Sequence, residues 1–256
     1  MIKKRYAFIS ILMIAVNILL AAHVSAFTNP TKGKPFFSWI WNDQIKPTFH
    51  GAFDKTGVII LGLGTFAAVV AHQYDDEIHG KFRDDPERLM SENCADFFSA
   101  LGAGPALIAV AMGQVLVDQE NGLMHTRAIT FTSLTHLTLS ISAQRERPDG
   151  SNDYFAYCSS FPSGHTAHVF ASASALNYAY GWKVGIPSFA AATSVAVARM
   201  SQDKHWASDV VAGATIGLFW ANASHNVKKD SERKNQSMFI PIPYNGGGMI
   251  TYIRQF

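Results

Sequence analysis

Charge is scarce in this chain of 256 residues. Asp, Glu, Lys and Arg make up 16% of it, well below the roughly one quarter of ordinary soluble domains. Hydrophobic residues reach 48%. That balance leaves two architectures: a chain that meets lipid over much of its length, or a bundle with a large apolar core. No sign of charge is in excess either. A formal net charge of +2 argues against a nucleic-acid binder held by a basic face. Cysteine is nearly absent, with only Cys94 and Cys158. In an oxidising compartment the two form at most one disulfide; otherwise they are unrelated thiols. Internal repeats and low-complexity segments are absent as well, and the length suits one well-buried core.

The N-terminus has the layout of an export signal. Lys3, Lys4 and Arg5 precede an apolar run from Tyr6 to Ala22, and Val24-Ser25-Ala26 offers a small-residue cleavage site. The alternative is an uncleaved membrane anchor. Both readings export the rest of the chain. Residues 1–26 are therefore set apart as a signal peptide, and 27–54 as an aromatic segment, irregular or short helical, containing Trp39 and Trp41. Residues 55–225 form the main domain. Residues 226–256 form a basic linker (Lys228, Lys229, Arg233, Lys234) and a tail, in which Met238–Tyr244 and Met249–Phe256 around Asn245-Gly-Gly-Gly read as a β-hairpin.

Within the main domain, six apolar stretches have helical length and no strand-like alternation: Lys55–His72, Phe97–Val117, Ala128–Ala143, Thr166–Tyr180, Ile186–Arg199 and Ser208–Ser224. They are rich in small residues, which allow close helix packing. The expected fold is an all-α bundle of six helices. Between the first two lies an acidic segment, Gln73 to Asp96, with Asp75, Asp76, Glu77, Asp84, Asp85, Glu87, Glu92 and Asp96. Its spacing is not that of a calcium loop, so it is expected to be a solvated surface segment.

Three polar clusters stand at helix ends. They are Arg145-Glu146-Arg147-Pro148, then Phe161-Pro162-Ser163-Gly164-His165-Thr166, then the run from Arg199 through His205 to Asp209. Each alone has an ordinary explanation: a surface arginine, a Ser N-cap, a helical i, i+4 pair. Together they resemble the signature of the type-2 phosphatidic acid phosphatase (PAP2) superfamily, over roughly Lys55 to Ser224. Arg147-Pro148, Pro162 to His165, and Arg199, His205 and Asp209 match its fixed positions in order. The run Arg147-Pro-Asp-Gly-Ser-Asn before Ser-Phe-Pro-Ser-Gly-His-Thr-Ala resembles bacterial envelope members. Two positions depart from the pattern. The family lysine falls at Ser140, and the serine before the third-motif arginine is Ala198. Arg145 and Lys204 are the candidates to replace the missing cation.

The resemblance implies a six-helix PAP2-type bundle with its active site at one end. It implies a phosphatase acting on phosphate monoesters, lipid or soluble, through a phosphohistidine. His205 is then the nucleophile, Asp209 fixes its tautomer, and His165 protonates the leaving oxygen. Arg147 and Arg199 bind the phosphate with forked donors, and Arg145 stands in for part of the missing lysine's role. The amides of Ser163, Gly164 and His165 cradle it at a helix N-terminus. No metal and no cofactor is required. His72, His136 and His168 are read as structural. Substrate choice is expected to lie in the Gln73–Asp96 loop, the Asp149–Ser160 loop and the aromatic segment. The competing readings are a vanadium-dependent haloperoxidase, with His205 ligating vanadate, and a non-catalytic envelope protein that binds phosphate or lipid.

In an up-down bundle the three clusters and the acidic segment share one face. Cys94 and Cys158 then lie on that face, which favours a bridge. Export places Phe27 outside the cytoplasm. Six spanning helices would then turn the site inward and the basic patch at Lys228–Lys234 outward, against the positive-inside rule. Two readings remove the conflict: an exported bundle that spans nothing, periplasmic and soluble or bound peripherally to the membrane, or a first segment that is not an export signal; the exported bundle is the one favoured. The polar third helix and apolar runs under about 20 residues fit it. The expected partner is a phosphorylated small molecule or lipid, with no nucleic acid.

Overall fold

The computed structural model describes residues 36–84, 89–151, 159–235, 238–244 and 247–253. The signal segment and Cys158, and with Cys158 the disulfide considered for it, lie outside these residues. The chain is an all-α bundle with a C-terminal hairpin. A helical entry segment comprises α1 (Phe36–Trp39), a π-helical stretch (Ile40–Ile45) and α2 (Lys46–Ala52). Then come α3 (Lys55–Gln73), α4 (Asp75–Asp84), α5 (Glu92–Leu101), α6 (Gly104–Val117), α7 (Gln119–Ala143), α8 (Gly164–Tyr180), α9 (Trp182–Ser201) and α10 (Ala207–Asn235). Strands β1 (Met238–Tyr244) and β2 (Gly247–Ile253) pair antiparallel, Met238 opposite Ile253. The second strand starts two residues before the expected Met249 and takes Gly247 and Gly248 into the ladder.

Each expected apolar stretch is helical. The second is broken, however: α5 and α6 meet at a 47° bend. The cause is local. Pro105 sits in the first turn of α6, where a missing N–H is tolerated but a continuing helix is not. The acidic segment is not a plain loop, since its part Asp75–Asp84 folds as α4 and its end, from Glu92, opens α5. The last helix continues past residue 225 to Asn235, and Lys228 Nζ donates to Asn121 Oδ1 at 2.7 Å.

Helix α10 packs along α8, α3 and α7, and α8 along α9 and α7. The close α8–α10 contact depends on missing side chains. A Cβ on Gly213 would lie 2.5 Å from the Ser163 carbonyl oxygen, and one on Gly217 would collide with that of Ala167. One core cluster joins Leu107, Ile108, Ile129, Val169, Ala192 and Val195 across α6 to α9. The other joins Ala52, Phe131, Ile216, Phe219 and Trp220. Helix α3 is different. It presents Val58, Ile59, Leu63, Phe66 and Val69 to the outside. Only 6% of its most apolar 18-residue window is buried. Among the described residues it is the one single helix long and apolar enough to cross a membrane; α5 and α6 qualify only as a bent pair.

Candidate active site

The three clusters meet at one end of the bundle, where backbone bonds sew their loops together. The Ser160 amide donates to the Arg145 carbonyl at 2.8 Å. The Ser163 amide donates to the Asp209 carbonyl at 3.0 Å, and the Asp149 amide to that of Asp203 at 3.2 Å. The Trp206 indole N–H donates to the Glu146 carbonyl at 2.9 Å. These bonds join the loop after α7, the start of α8 and the α9–α10 connection, so the site is positioned by backbone rather than by side chains alone.

His205 is buried, at 5% exposure. Its Nδ1 lies 2.7 Å from the Ser160 carbonyl oxygen. A carbonyl only accepts, so Nδ1 carries the proton and Nε2 of the neutral ring keeps its lone pair. Burial lowers its pKa well below the ordinary value. Arg199 and Arg147 lower it further, the Ser160 carbonyl opposes them, and His165 lowers it again. His165 is pushed down to about 3 by burial, then by Arg199, His168, His136 and Arg147. Both rings therefore feel both guanidinium groups, and without an anion both are neutral and surrounded by positive charge.

Arg199 is oriented from behind. Its Nη1 donates to Gln202 Oε1 at 2.9 Å and to Ser99 Oγ at 3.3 Å. Ser99 in turn donates to Gln202 Oε1 at 2.7 Å, and Gln202 Nε2 to Asp96 Oδ1 at 2.8 Å. The buried Arg199 Nε has no hydrogen-bond partner among the described residues. A buried unpaired donor is costly, and an anion in the site would satisfy it. The anion site is completed by α8. Its N-cap Ser163 caps no amide; its hydroxyl pairs with Thr166 Oγ1 at 2.9 Å. The first-turn amides therefore have no side-chain cap, as an anion site at a helix N-terminus requires. The Ser163 amide itself is spent on Asp209, so the cradle is smaller than expected and begins at Gly164. Gly164 is needed for space: a Cβ there would lie 2.8 Å from His136 Nε2.

Two expected contacts are replaced by others. Asp209 does not bond His205. Helix α10 starts at Ala207, so His205 lies in the preceding loop and the i, i+4 spacing is not helical. Among the described residues the Asp209 carboxylate accepts from Arg145 Nη1 at 2.6 Å, from the Ser160 hydroxyl and from the Trp206 amide at 2.9 Å. It reaches His205 through Ser160. Burial raises its pKa, and the bonds from Ser160, Arg145 and Trp206 oppose this without cancelling it.

Arg145 is likewise not aimed at the anion site. It lies between Asp209 and Asp75, with Nη2 2.7 Å from Asp75 Oδ2, and stacks over Trp206 at 5.4 Å. Lys204 is also engaged, 2.6 Å from Asp149 Oδ2. Ser140, where the family lysine would stand, is fully buried in α7. The guanidinium groups that act on both histidines are therefore Arg147 and Arg199, and neither Arg145 nor Lys204 joins them in place of that lysine.

Sequence reasoning missed Asp75, Ser160 and Ser208. Asp75 is 4% exposed, not solvated. It accepts from the Ser208 amide at 2.9 Å and its hydroxyl at 2.6 Å, and His72 Nδ1 lies 3.0 Å away. His72 thus has partners. His168 bonds the Gly164 carbonyl at 2.7 Å and Ser133 Oγ at 2.6 Å, and its ring lies 6.2 Å from that of His136. These two histidines line the back of the Gly164 turn. Beside the polar network, an apolar cavity of about 530 Å³ lies between α3, α7 and α10, lined by Leu61, Val69, Leu139, Ile216 and Phe219. It meets the network at Arg145 and Ser208; Arg147, His165, Arg199 and His205 do not line it.

Residues 123–233 match the family model of the PAP2 superfamily. The matched residues include all three motif clusters, so this part of the chain resembles that superfamily. Lipid A 1-phosphatase of Porphyromonas gingivalis is 30% identical to it over 118 residues, 45% of this chain and 22% of the relative. The aligned part is thus a minor share of that protein's length. The crystal structure of Aquifex aeolicus LpxE shares the fold, with a TM-score of 0.50 at 22% identity over 59% of this chain and 93% of that one.

Proposed function

We propose that the chain is a phosphatase that hydrolyses phosphate monoesters, with a phosphorylated lipid as its substrate class, through a phosphohistidine on His205. The observation that carries this is the Nδ1 bond from His205 to the Ser160 carbonyl. It leaves the Nε2 lone pair on a ring flanked by Arg147 and Arg199.

In the first step Nε2 attacks phosphorus, and the bond from phosphorus to the leaving oxygen breaks. That oxygen takes a proton from His165. The guanidinium groups and the α8 amides hold the charge spread over the three equatorial oxygens. In the second step water attacks phosphorus and gives a proton to His165, and the P–N bond breaks. His165 must be protonated to begin, although in the empty site its pKa is about 3. Burial is the largest cause of that low value, and Arg199 and Arg147 add to it; a phosphate dianion beside the ring offsets the guanidinium charges and favours the protonated form.

Two observations favour a lipid. The similar protein of P. gingivalis is named a lipid A 1-phosphatase. The exposed apolar face of α3 also suits contact with a membrane. The export signal read from residues 1–26 puts such a site in the cell envelope. The test is phosphate release by the purified full chain from a lipid phosphate and a soluble monoester, with EDTA present. Wild type releases phosphate and His205→Ala does not. Absence of release by the wild type from both esters overturns the reading.

A further inference from the structure

Helix α4 carries most of its charge to solvent, yet two of its residues one turn apart reach the loop that holds His205. His79 Nε2 lies 3.1 Å from Asp203 Oδ1, and its ring meets that of Trp206 edge-on at 5.3 Å. Asp75 goes deeper. It binds Ser208 through both amide and hydroxyl, and it shares Arg145 with Asp209. The Ser208 hydroxyl also accepts from Arg145 Nη1 at 2.7 Å. From Asp209 the path runs to the Ser160 hydroxyl, and the Ser160 carbonyl holds His205 Nδ1.

We propose that Asp75 is a positioning residue for His205, acting through Arg145, Asp209 and Ser160; this rests on the phosphatase reading above. One guanidinium is held between two buried carboxylates, and each fixes the direction in which the other is pulled. Without Asp75, Arg145 bonds Asp209 alone and is free to turn about that contact. Asp209 then shifts, Ser160 follows, and the carbonyl that sets the ring's orientation moves. A displacement of about 1 Å at a reacting group costs on the order of 10²-fold in rate. The charge balance changes too. The groups facing His205 are Arg199, Arg147 and His165, and the carboxylates act on it from behind Arg145. Removing one negative charge leaves the site more positive and disfavours the protonated ring.

The experiment compares wild type, His205→Ala, Asp75→Asn, His79→Ala and Ser160→Ala as purified full chains. It measures kcat and KM for one phosphate monoester across pH, with thermal unfolding alongside. Asp75→Asn keeps the shape of the side chain. It is expected to lower kcat by about 10²-fold, to leave KM near the wild-type value and to move the acid limb of kcat/KM to lower pH. His79→Ala loosens the same helix at Asp203 and the Trp206 ring, leaves the hydrogen bonds that run from Asp75 to His205 in place, and keeps the wild-type kcat and limb. In the Ser160→Ala background Asp75→Asn costs less than it does alone, because the path is already cut. A wild-type kcat and limb in Asp75→Asn overturns the inference. So do equal losses in Asp75→Asn and His79→Ala with no shift of the limb, which make Asp75 a clamp on α4 only. Absence of phosphate release by the wild type overturns instead the phosphatase reading, and the inference falls with it.

Discussion

His205 is held by the backbone carbonyl of Ser160, 2.7 Å from its Nδ1, and Asp209 acts on it only at one remove. The carboxylate is tied to Arg145, Ser160 and Trp206, so it holds up the loop around the histidine. This arrangement separates two roles that share one residue in a directly paired His–Asp couple. The carbonyl sets the tautomer, and the carboxylate sets where the carbonyl is.

Asp209 is fully buried against the guanidinium of Arg145, whose side chain is 23% exposed. Removing Asp209 leaves Arg145 with Asp75 alone and takes the buried acceptor from the Ser160 hydroxyl and the Trp206 amide. Asp209→Ala is therefore expected to lower the unfolding free energy by about 3–5 kcal/mol and to abolish measurable turnover. Urea unfolding checks the first part. Stability close to wild type would place the weight of the network elsewhere.

Gly164 faces His136. Its missing Cβ leaves 2.8 Å to the imidazole Nε2, so Gly164→Ala forces the ring or the helix start to move. Overpacking of this kind costs about 1–3 kcal/mol. The double variant Gly164→Ala/His136→Ala removes the obstacle and is expected to cost less than the two single changes together. Thermal midpoints of the four proteins measure that coupling.

Arg199 works through its forked geometry. Its Nη1 is spent on Ser99 and Gln202, so Nε and Nη2 are the nitrogens left for an anion. Lysine cannot hold both the support and the anion. Arg199→Lys is expected to lower kcat/KM by about 10²–10³-fold, the range for losing a transition-state donor, while the chain stays folded. Steady-state kinetics and circular dichroism read the two effects separately.

The pH dependence of stability follows from His165. Its folded pKa, about 3, lies below the ordinary value of 6.5. Between those values the unfolded chain binds a proton that the folded chain does not. The contribution of His165 is therefore complete above about pH 6.5 and is lost as pH falls toward 3. His165→Gln has no proton to take up, so its thermal midpoint declines less steeply than that of the wild type across this window. Parallel declines in the two proteins would contradict the assignment.

The helices, and the meeting of the three polar clusters at one end of the bundle, were legible in the sequence for physical reasons. Long apolar stretches without alternation could bury themselves only as helices, and Pro162 to His165 marked the start of α8 by turn chemistry. Arg147, Arg199, His165 and His205 came together because their clusters stood at helix ends. What stayed hidden was long-range or carried by backbone. Asp75 sat in a run of carboxylates that looked solvated, and its partner Ser208 is 133 residues away. The Ser160 carbonyl has no side-chain signature at all. The direct His205–Asp209 contact failed because helix α10 begins two residues later than a helical pair needs. Arg145 stands about one helical turn beyond Ser140 and offers a cation in the missing lysine's place, yet two buried carboxylates claim it.

The proposed chemistry turns on phosphorylation of His205 Nε2. Trapping of the phosphoenzyme during turnover of a labelled phosphate monoester, followed by peptide mapping, measures it directly. A phosphoryl group that is labile in acid and stable in base is expected on the peptide containing His205, and is absent from His205→Ala. A phosphoryl group on another residue, or an active wild type that never carries label, would contradict it.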